Sequence, residues 1–265
     1  MARTPAEFRE RYGPWAVVAG ASQGLGAEYA AQLAANGLNL LLIARRAELL
    51  SALATDLAER HGVQVRTLAL DLARADIGSV VSAETAGLEI GLLVYNAGLS
   101  VVGPIFDRPL EAYLTELWVN CRAPLTLGYT LGQGMRERGR GGIILMSSLS
   151  ASMGSALIAN YAATKAYNLV LAEGLWEEMR AGGVDVMACR AGAIRTPNYL
   201  ASGSGGAGGS MTPRAVAAET LAALGKYPSF IPGHGNRLSA LALRSLTRRL
   251  TVRIMGRVMR GMYGK

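Results

Sequence analysis

The sequence predicts an α/β fold, a single doubly wound parallel sheet of about seven strands with helices on both faces. Three observations carry this reading. Short apolar runs alternate with longer segments of helical periodicity through most of the chain. The apolar runs are nearly continuous, as strands buried on both faces are. The length, 265 residues with 51% hydrophobic content, suits one domain with a large core. In order, 15–20 (WAVVAG) reads as the first strand, followed by a helix over 24–36. Segment 38–44 (LNLLLIA) is the second strand, with a helix near 47–60. The third strand is 63–70 (VQVRTLAL), with a helix near 77–85, and 90–95 (IGLLVY) is the fourth. A long helical segment follows at 110–137. Then come the fifth strand, 142–147 (GIILMS), a helix over 160–181, and the sixth strand, 184–190 (VDVMACR). Residues 227–231 suit a short seventh strand at the sheet edge.

Charge and composition narrow the function classes. The formal charge is +8, but nine of the 27 basic residues lie beyond Glu219, the last acidic one. The body before them is nearly neutral, which argues against a nucleic-acid-binding domain. Two cysteines, Cys121 and Cys189, exclude a disulfide scaffold and a four-Cys zinc site, and both read as buried small residues. With only His61 and His234 besides, no metal site is expected. His61 reads as the end of a helix before Gly62 and His234 as a turn residue. Residues 1–12 do not read as a secretory signal, and no apolar run is long enough to span a bilayer. The expectation is a cytoplasmic protein.

A phosphate cradle follows the first strand. Gly20, Ala21, Ser22, Gln23, Gly24, Leu25 and Gly26 form a G-x3-G-x-G pattern. Gly20 allows a tight turn, Gly24 close approach of the backbone to a pyrophosphate, and Gly26 close helix–strand packing. The next helix offers its free N–H groups to the phosphates. At the end of the second strand, Ala44 is followed by Arg45 and Arg46 rather than by the Asp or Glu that would accept from a ribose 2′-OH. Two guanidinium forks suit a 2′-phosphate, so NADP(H) is the expected cofactor.

With these elements in order, the chain resembles the short-chain dehydrogenase/reductase family over roughly residues 13–198. The resemblance rests on the glycine motif, Asp71-Leu72, Asn96-Ala97-Gly98, Asn120, Ser148, Tyr161 with Lys165, and the run Ala191 to Thr196. It implies a Rossmann-type sheet in which Asp71 and Leu72 contact adenine and Asn96, Ala97 and Gly98 steady the sheet beside the cofactor. Gly192, Ile194 and Thr196 would line the nicotinamide. One departure stands out: the family's Pro-Gly is here Ala191-Gly192, which frees φ and predicts a looser wall.

Tyr161 and Lys165 lie four apart and share a helix face. A composition of 10 Tyr and 3 Lys makes about 0.1 such pairs expected by chance. The resemblance gives Tyr161 the role of acid/base and Lys165 that of binding the nicotinamide ribose. It gives Ser148 the substrate oxygen, and Asn120 a water connecting Lys165 to solvent. A phenolate near neutrality needs its pKa lowered by ~3 units, about 4 kcal/mol, and Lys165 is one expected source. Ser147 reads as the end of the strand and Asn160 as a helix cap.

Residues 1–232 are thus expected to form the catalytic unit, with a Gly-rich substrate flap near 198–212, and 233–265 a basic helical extension. Over 249–262, Arg249, Arg253, Arg257 and Arg260 fall on one side of a helix and Met255, Val258, Met259 and Met262 on the other. Three readings stay open: docking on the body, an anchor on an anionic membrane surface, or a partner interface or substrate lid. The expected function is NADP(H)-dependent interconversion of a ketone and a secondary alcohol on a small-molecule substrate of hydrophobic, acyl-type or lipid-like character. The alternative is a cofactor-bound sensor or scaffold. The resemblance implies a homodimer or tetramer built on the helices near 110–137 and 160–181, with a dimer preferred.

Overall fold

In the computed structural model, residues 3–201 and 210–263 are described. The strands are β1 (Trp15–Ala19), β2 (Asn39–Ala44), β3 (Val65–Ala69), β4 (Ile90–Tyr95), β5 (Gly141–Ser148), β6 (Val184–Ala191) and β7 (Ser229–Phe230). They form one sheet in the order β3-β2-β1-β4-β5-β6-β7, with every pairing parallel. The order turns back between β1 and β4, the switch point at which such sheets open a crevice beyond their carboxyl ends. The expected strands are all present, within one or two residues at each end.

The helices are α1 (Pro5–Tyr12), α2 (Gly24–Ala35), α3 (Ala47–His61), α4 (Ile77–Glu84), α5 (Leu110–Leu117), α6 (Ala123–Arg138), α7 (Ala159–Arg180), α8 (Pro197–Ala201), α9 (Pro213–Ala223), α10 (His234–Arg244) and α11 (Arg248–Tyr263). Two buried clusters sandwich the sheet. One joins β-strand residues such as Val18 and Leu42 to Leu33, Leu50 and Leu221 of α2, α3 and α9; the other joins Val17 and Leu93 to Val81, Leu127 and Ala172 of α4, α6 and α7. β1 and β4 are buried along their whole length, whereas Arg66 and Thr67 of the edge strand β3 are exposed.

Two features depart from the sequence reading. The N-terminal residues form α1, opened by a capping box between Thr4 and Glu7 with Pro5 in the first turn. It buries Phe8 and Tyr12, and the Tyr12 hydroxyl donates to Asp185 at 2.6 Å. The long segment 110–137 is also not a single α-helix, since α5 and α6 are joined by a π-helical turn, Trp118–Arg122. Pro124 explains the break: it has no N–H to give the Asn120 carbonyl, its partner in a regular helix.

Of the expected flap at 198–212, residues 202–209 lie outside the described residues. Around them, Ile194 pairs with Met211, and Thr212 caps α9. Among the described residues no helix is long and apolar enough to cross a membrane.

Candidate active site

The glycine motif forms the floor of the crevice. Gly20 has φ +84°, and a Cβ there would meet the Ala97 backbone nitrogen at 2.6 Å. A Cβ on Gly26 would lie 2.0 Å from the Gly20 carbonyl oxygen, so α2 begins in direct contact with the turn. Asn96 locks this arrangement from β4: its Nδ2 donates to the Gly20 carbonyl at 3.0 Å, and its backbone N–H and that of Ala97 donate to Ala19. Gly24, with φ +60°, faces Thr196 across the crevice, where a Cβ would stand 3.1 Å from the Thr196 methyl. Gln23 precedes α2 as its extended N-cap residue, and Leu25 is buried beneath the turn. A backbone cradle that only glycine can form, at the N-terminus of a helix, fits a pyrophosphate.

The flank of the cradle is basic. Arg46 Nη2 donates to Ser22 Oγ at 3.0 Å, which draws the guanidinium across to the β1–α2 turn. Arg45 stands beside it, also exposed. Asp71, by contrast, spends one carboxylate oxygen on its own turn, accepting from Ala73 N at 2.9 Å, while Leu72 is buried. The pair forms the rim beyond β3.

The catalytic candidates converge at the carboxyl end of β5. Ser148 is its last residue; its hydroxyl accepts from Ser150 N at 3.2 Å and lies close enough to the Tyr161 phenol to favour its ionised form. Lys165, one turn along α7 from Tyr161, is buried; its Nζ donates to the Met146 carbonyl at 3.0 Å and lies 5.6 Å from the Tyr161 ring centre. Gly98 makes room for that ammonium, since a Cβ there would be 3.3 Å from Nζ. The protein groups alone do not produce the expected phenolate. Burial pushes Tyr161 up to about 12, outweighing the help from Ser148. Burial likewise pushes Lys165 down to about 8. Tyr161 therefore stands protonated near neutrality, as a proton donor must.

Asn120 is fully buried, and its side chain is committed to structure. Its Oδ1 accepts from Leu99 N at 2.8 Å, and its Nδ2 donates to the Leu99 carbonyl and to Thr164 Oγ1. It clamps the loop after β4 onto α7.

Several groups carry more than the sequence disclosed. Ser147, expected only to end a strand, donates to the Lys165 carbonyl at 2.7 Å and fixes α7 against β5. Asn160 is not a cap, because Ile158 holds that position; its Nδ2 donates instead to Glu116 at 2.6 Å. Glu116 is buried, also accepts from Val101 N, and is raised above the usual carboxylate range by burial. Cys121 and Cys189 are free, and burial pushes each thiol up to about 11, which keeps both unreactive. His61 closes α3 before Gly62 as expected, whereas His234 starts α10 rather than lying in a turn.

The segment expected to line the nicotinamide follows β6. Ala191 continues β6 opposite Ser148, and Gly192 packs against α10, where a Cβ would meet Asn236 Oδ1 at 2.6 Å. Thr196 accepts from Tyr199 N, and its own N–H donates to the Ile194 carbonyl. Tyr263, the last residue of α11, lies near enough to Tyr161 to raise its pKa further. Thr251, Gly256 and Met259 of α11 are buried, while Val258 is exposed.

A model of the short chain dehydrogenase family matches residues 14–203. The chain belongs to this family. Relatives include the 7beta-hydroxysteroid dehydrogenase of Collinsella aerofaciens, 32% identical over 87% of this chain and 90% of that protein. The enzyme of the same description from Clostridium sardiniense is 34% identical over 87% and 89%. A solved 7beta-hydroxysteroid dehydrogenase structure superposes with a TM-score of 0.89 at 30% identity, covering 94% of this chain and 98% of that one. A short-chain dehydrogenase from Sphingobium yanoikuyae in complex with NADPH gives 0.78 at 27% identity, covering 87% and 92%. These matches extend the likeness beyond the motifs to most of the chain.

Proposed function

We propose that the protein is an NADP(H)-dependent oxidoreductase that interconverts a ketone and a secondary alcohol on a bulky hydrophobic substrate. The observation that carries this is the convergence of the Ser148 hydroxyl, the Tyr161 phenol and the buried Lys165 beside a glycine cradle flanked by Arg45 and Arg46. The cradle and the basic rim fit a dinucleotide with a 2′-phosphate. NADPH, when bound, supplies the hydride.

The chain's own groups do the rest. Ser148 donates to the carbonyl oxygen and holds it within reach of Tyr161. Tyr161 gives its proton to that oxygen as negative charge develops there. The Lys165 ammonium offsets the charge left on Tyr161 and binds the ribose. The Asn120 carbonyl holds a water that returns a proton through Lys165. Ile194, Thr196 and Gly192 shape the wall, and the region around Tyr263 sets the size of the substrate.

The relatives named 7beta-hydroxysteroid dehydrogenase favour a steroid-like ketone or alcohol. A very-long-chain 3-oxoacyl-CoA reductase of Aspergillus clavatus, 36% identical over 66% of this chain and 52% of its own length, keeps an acyl substrate as the second reading. NADPH oxidation with steroid ketones and 3-oxoacyl thioesters, for the wild type and Tyr161→Phe, tests the proposal. No oxidation with any of them by the wild type leaves the sensor reading standing.

The same reading gives a cytoplasmic homodimer. Exposed apolar residues on α5 to α7, including Leu110, Trp118, Tyr129 and Val170, support pairing through these helices. Contact with an anionic membrane is a second role for α10 and α11. It is favoured by exposed Leu238, Leu250 and Val258 beside the arginines, and co-sedimentation of full-length and tail-deleted protein with vesicles tests it.

A further inference from the structure

A groove of about 520 Å³ lies between α10, the start of α11 and the 3-10 turn that follows β5. Four guanidiniums line it: Arg190, Arg237, Arg244 and Arg248. No acidic residue does so among the described residues. The remaining lining is largely aliphatic, including Leu149, Met153, Ile231 and Leu243. Ser148, Tyr161, Lys165 and Asn120 are not part of it.

The charges are poorly balanced. Glu219 answers Arg237 alone, accepting from it at 2.9 Å. Arg190 projects from β6 with its Nε buried and without a hydrogen-bond partner, while its Nη2 donates to Ser152 Oγ. Burial lowers its pKa; the nearby carboxylate of Glu173 works against this, and Arg244 adds a smaller lowering. Glu173 accepts from Ser229 Oγ and forms no ion pair with Arg190 among the described residues. A half-buried cation with one N–H unpaired and a like charge beside it is favoured by an anion that completes the set. Guanidinium forks grip carboxylate or phosphate oxygens, and an aliphatic floor holds a hydrocarbon chain.

We propose that this groove binds one molecule of a soluble anionic amphiphile, its carboxylate or phosphate on Arg190, Arg244 and Arg248 and its apolar chain on Leu149, Met153 and Leu243. The site is adjacent to the catalytic centre and shares with it the turn after Ser148. It does not depend on the activity proposed above.

Titration calorimetry with NADPH-saturated protein tests it, using octyl phosphate, octanol and inorganic phosphate below any micelle concentration. Octyl phosphate is expected to bind once per chain, about tenfold or more tighter than either octanol or inorganic phosphate, and to weaken with salt. Arg244→Ser with Arg248→Ser is expected to weaken it by about tenfold or more while leaving NADPH affinity unchanged. Arg190→Met keeps the volume and removes the charge; it is expected to fold with an unchanged or higher Tm and to lose the Tm rise that octyl phosphate gives the wild type. Equal binding of octanol and octyl phosphate, or full binding by the double variant, overturns the proposal. So does pelleting with phosphatidylglycerol vesicles in the absence of any binding to free octyl phosphate, which assigns the arginines to a membrane surface.

Discussion

The preference for a phosphorylated cofactor rests on Arg45 and Arg46, and replacing Arg46 by Ala isolates its share. The change removes a guanidinium whose Nη2 stands 3.0 Å from Ser22 Oγ at the lip of the cradle. No core contact is lost, since the side chain is exposed, so a change in stability should not obscure the result. A charged hydrogen bond to phosphate contributes about 1.5–3 kcal/mol, and exposure places this one at the low end. About 1.5 kcal/mol corresponds to roughly a tenfold loss in kcat/KM for NADPH. NADH has no group for Arg46 to grip, so its kcat/KM should stay within about twofold. Arg45→Ala with Arg46→Ala should approach a hundredfold loss for NADPH if the two act independently (about 3 kcal/mol in all). Initial rates with both cofactors, at low and high salt, measure this directly. An equal loss for NADH and NADPH would refute the 2′-phosphate assignment and recast the arginines as a general feature of the helix start.

Other perturbations read different parts of the site. Gly26→Ala drives a methyl to 2.0 Å from the Gly20 carbonyl, and should cost about 3 kcal/mol of stability and abolish dinucleotide binding; Gly174→Ala, in open space on α7, should be neutral or slightly stabilising in the same denaturant titration. Carbonyl reduction should be level below pH 8 and decline above it, because the Lys165 ammonium, with its pKa pushed down to about 8, is present below that value and lost above it. A level profile through about pH 10 would remove Lys165 from the proton-transfer step. Tyr263→Ala should change KM for bulky ketones by about fivefold or more while leaving a small ketone such as cyclohexanone unaffected; equal effects on both would place Tyr263 outside the substrate wall.

Much of the fold was legible because the sheet's physics is written locally. Continuous apolar runs between helical periods give seven strands, and the glycine turn marks where the order switches. What escaped detection depended on partners distant in sequence or on weak local signals. α1 carried its capping box in Thr4 and Glu7, but it is too short and polar for a periodicity test. Pro124 sits in plain view, yet its consequence, the π-helical turn Trp118–Arg122, appears only once the helix is built.

Within the site, residue types were readable and ionisation was not. Tyr161, Lys165 and Ser148 converge as their spacing implied. The upward push on Tyr161 comes first from burial, and Tyr263 and Glu116 add to it electrostatically from two distant segments. The absent proline before Gly192 gives no sign that Asn236, 44 residues later, packs against that glycine and donates to the Pro232 carbonyl.

The central claim is that Tyr161 delivers the proton to the substrate oxygen. Single-turnover reduction of a steroid ketone by the NADPH-loaded wild type and by Tyr161→Phe tests it most directly. The variant keeps the ring in the same packing and loses only the hydroxyl. The account expects the rate to fall by about three orders of magnitude while the Kd for NADPH stays within about twofold. A rate within about tenfold of wild type, with the cofactor bound equally well, would contradict it.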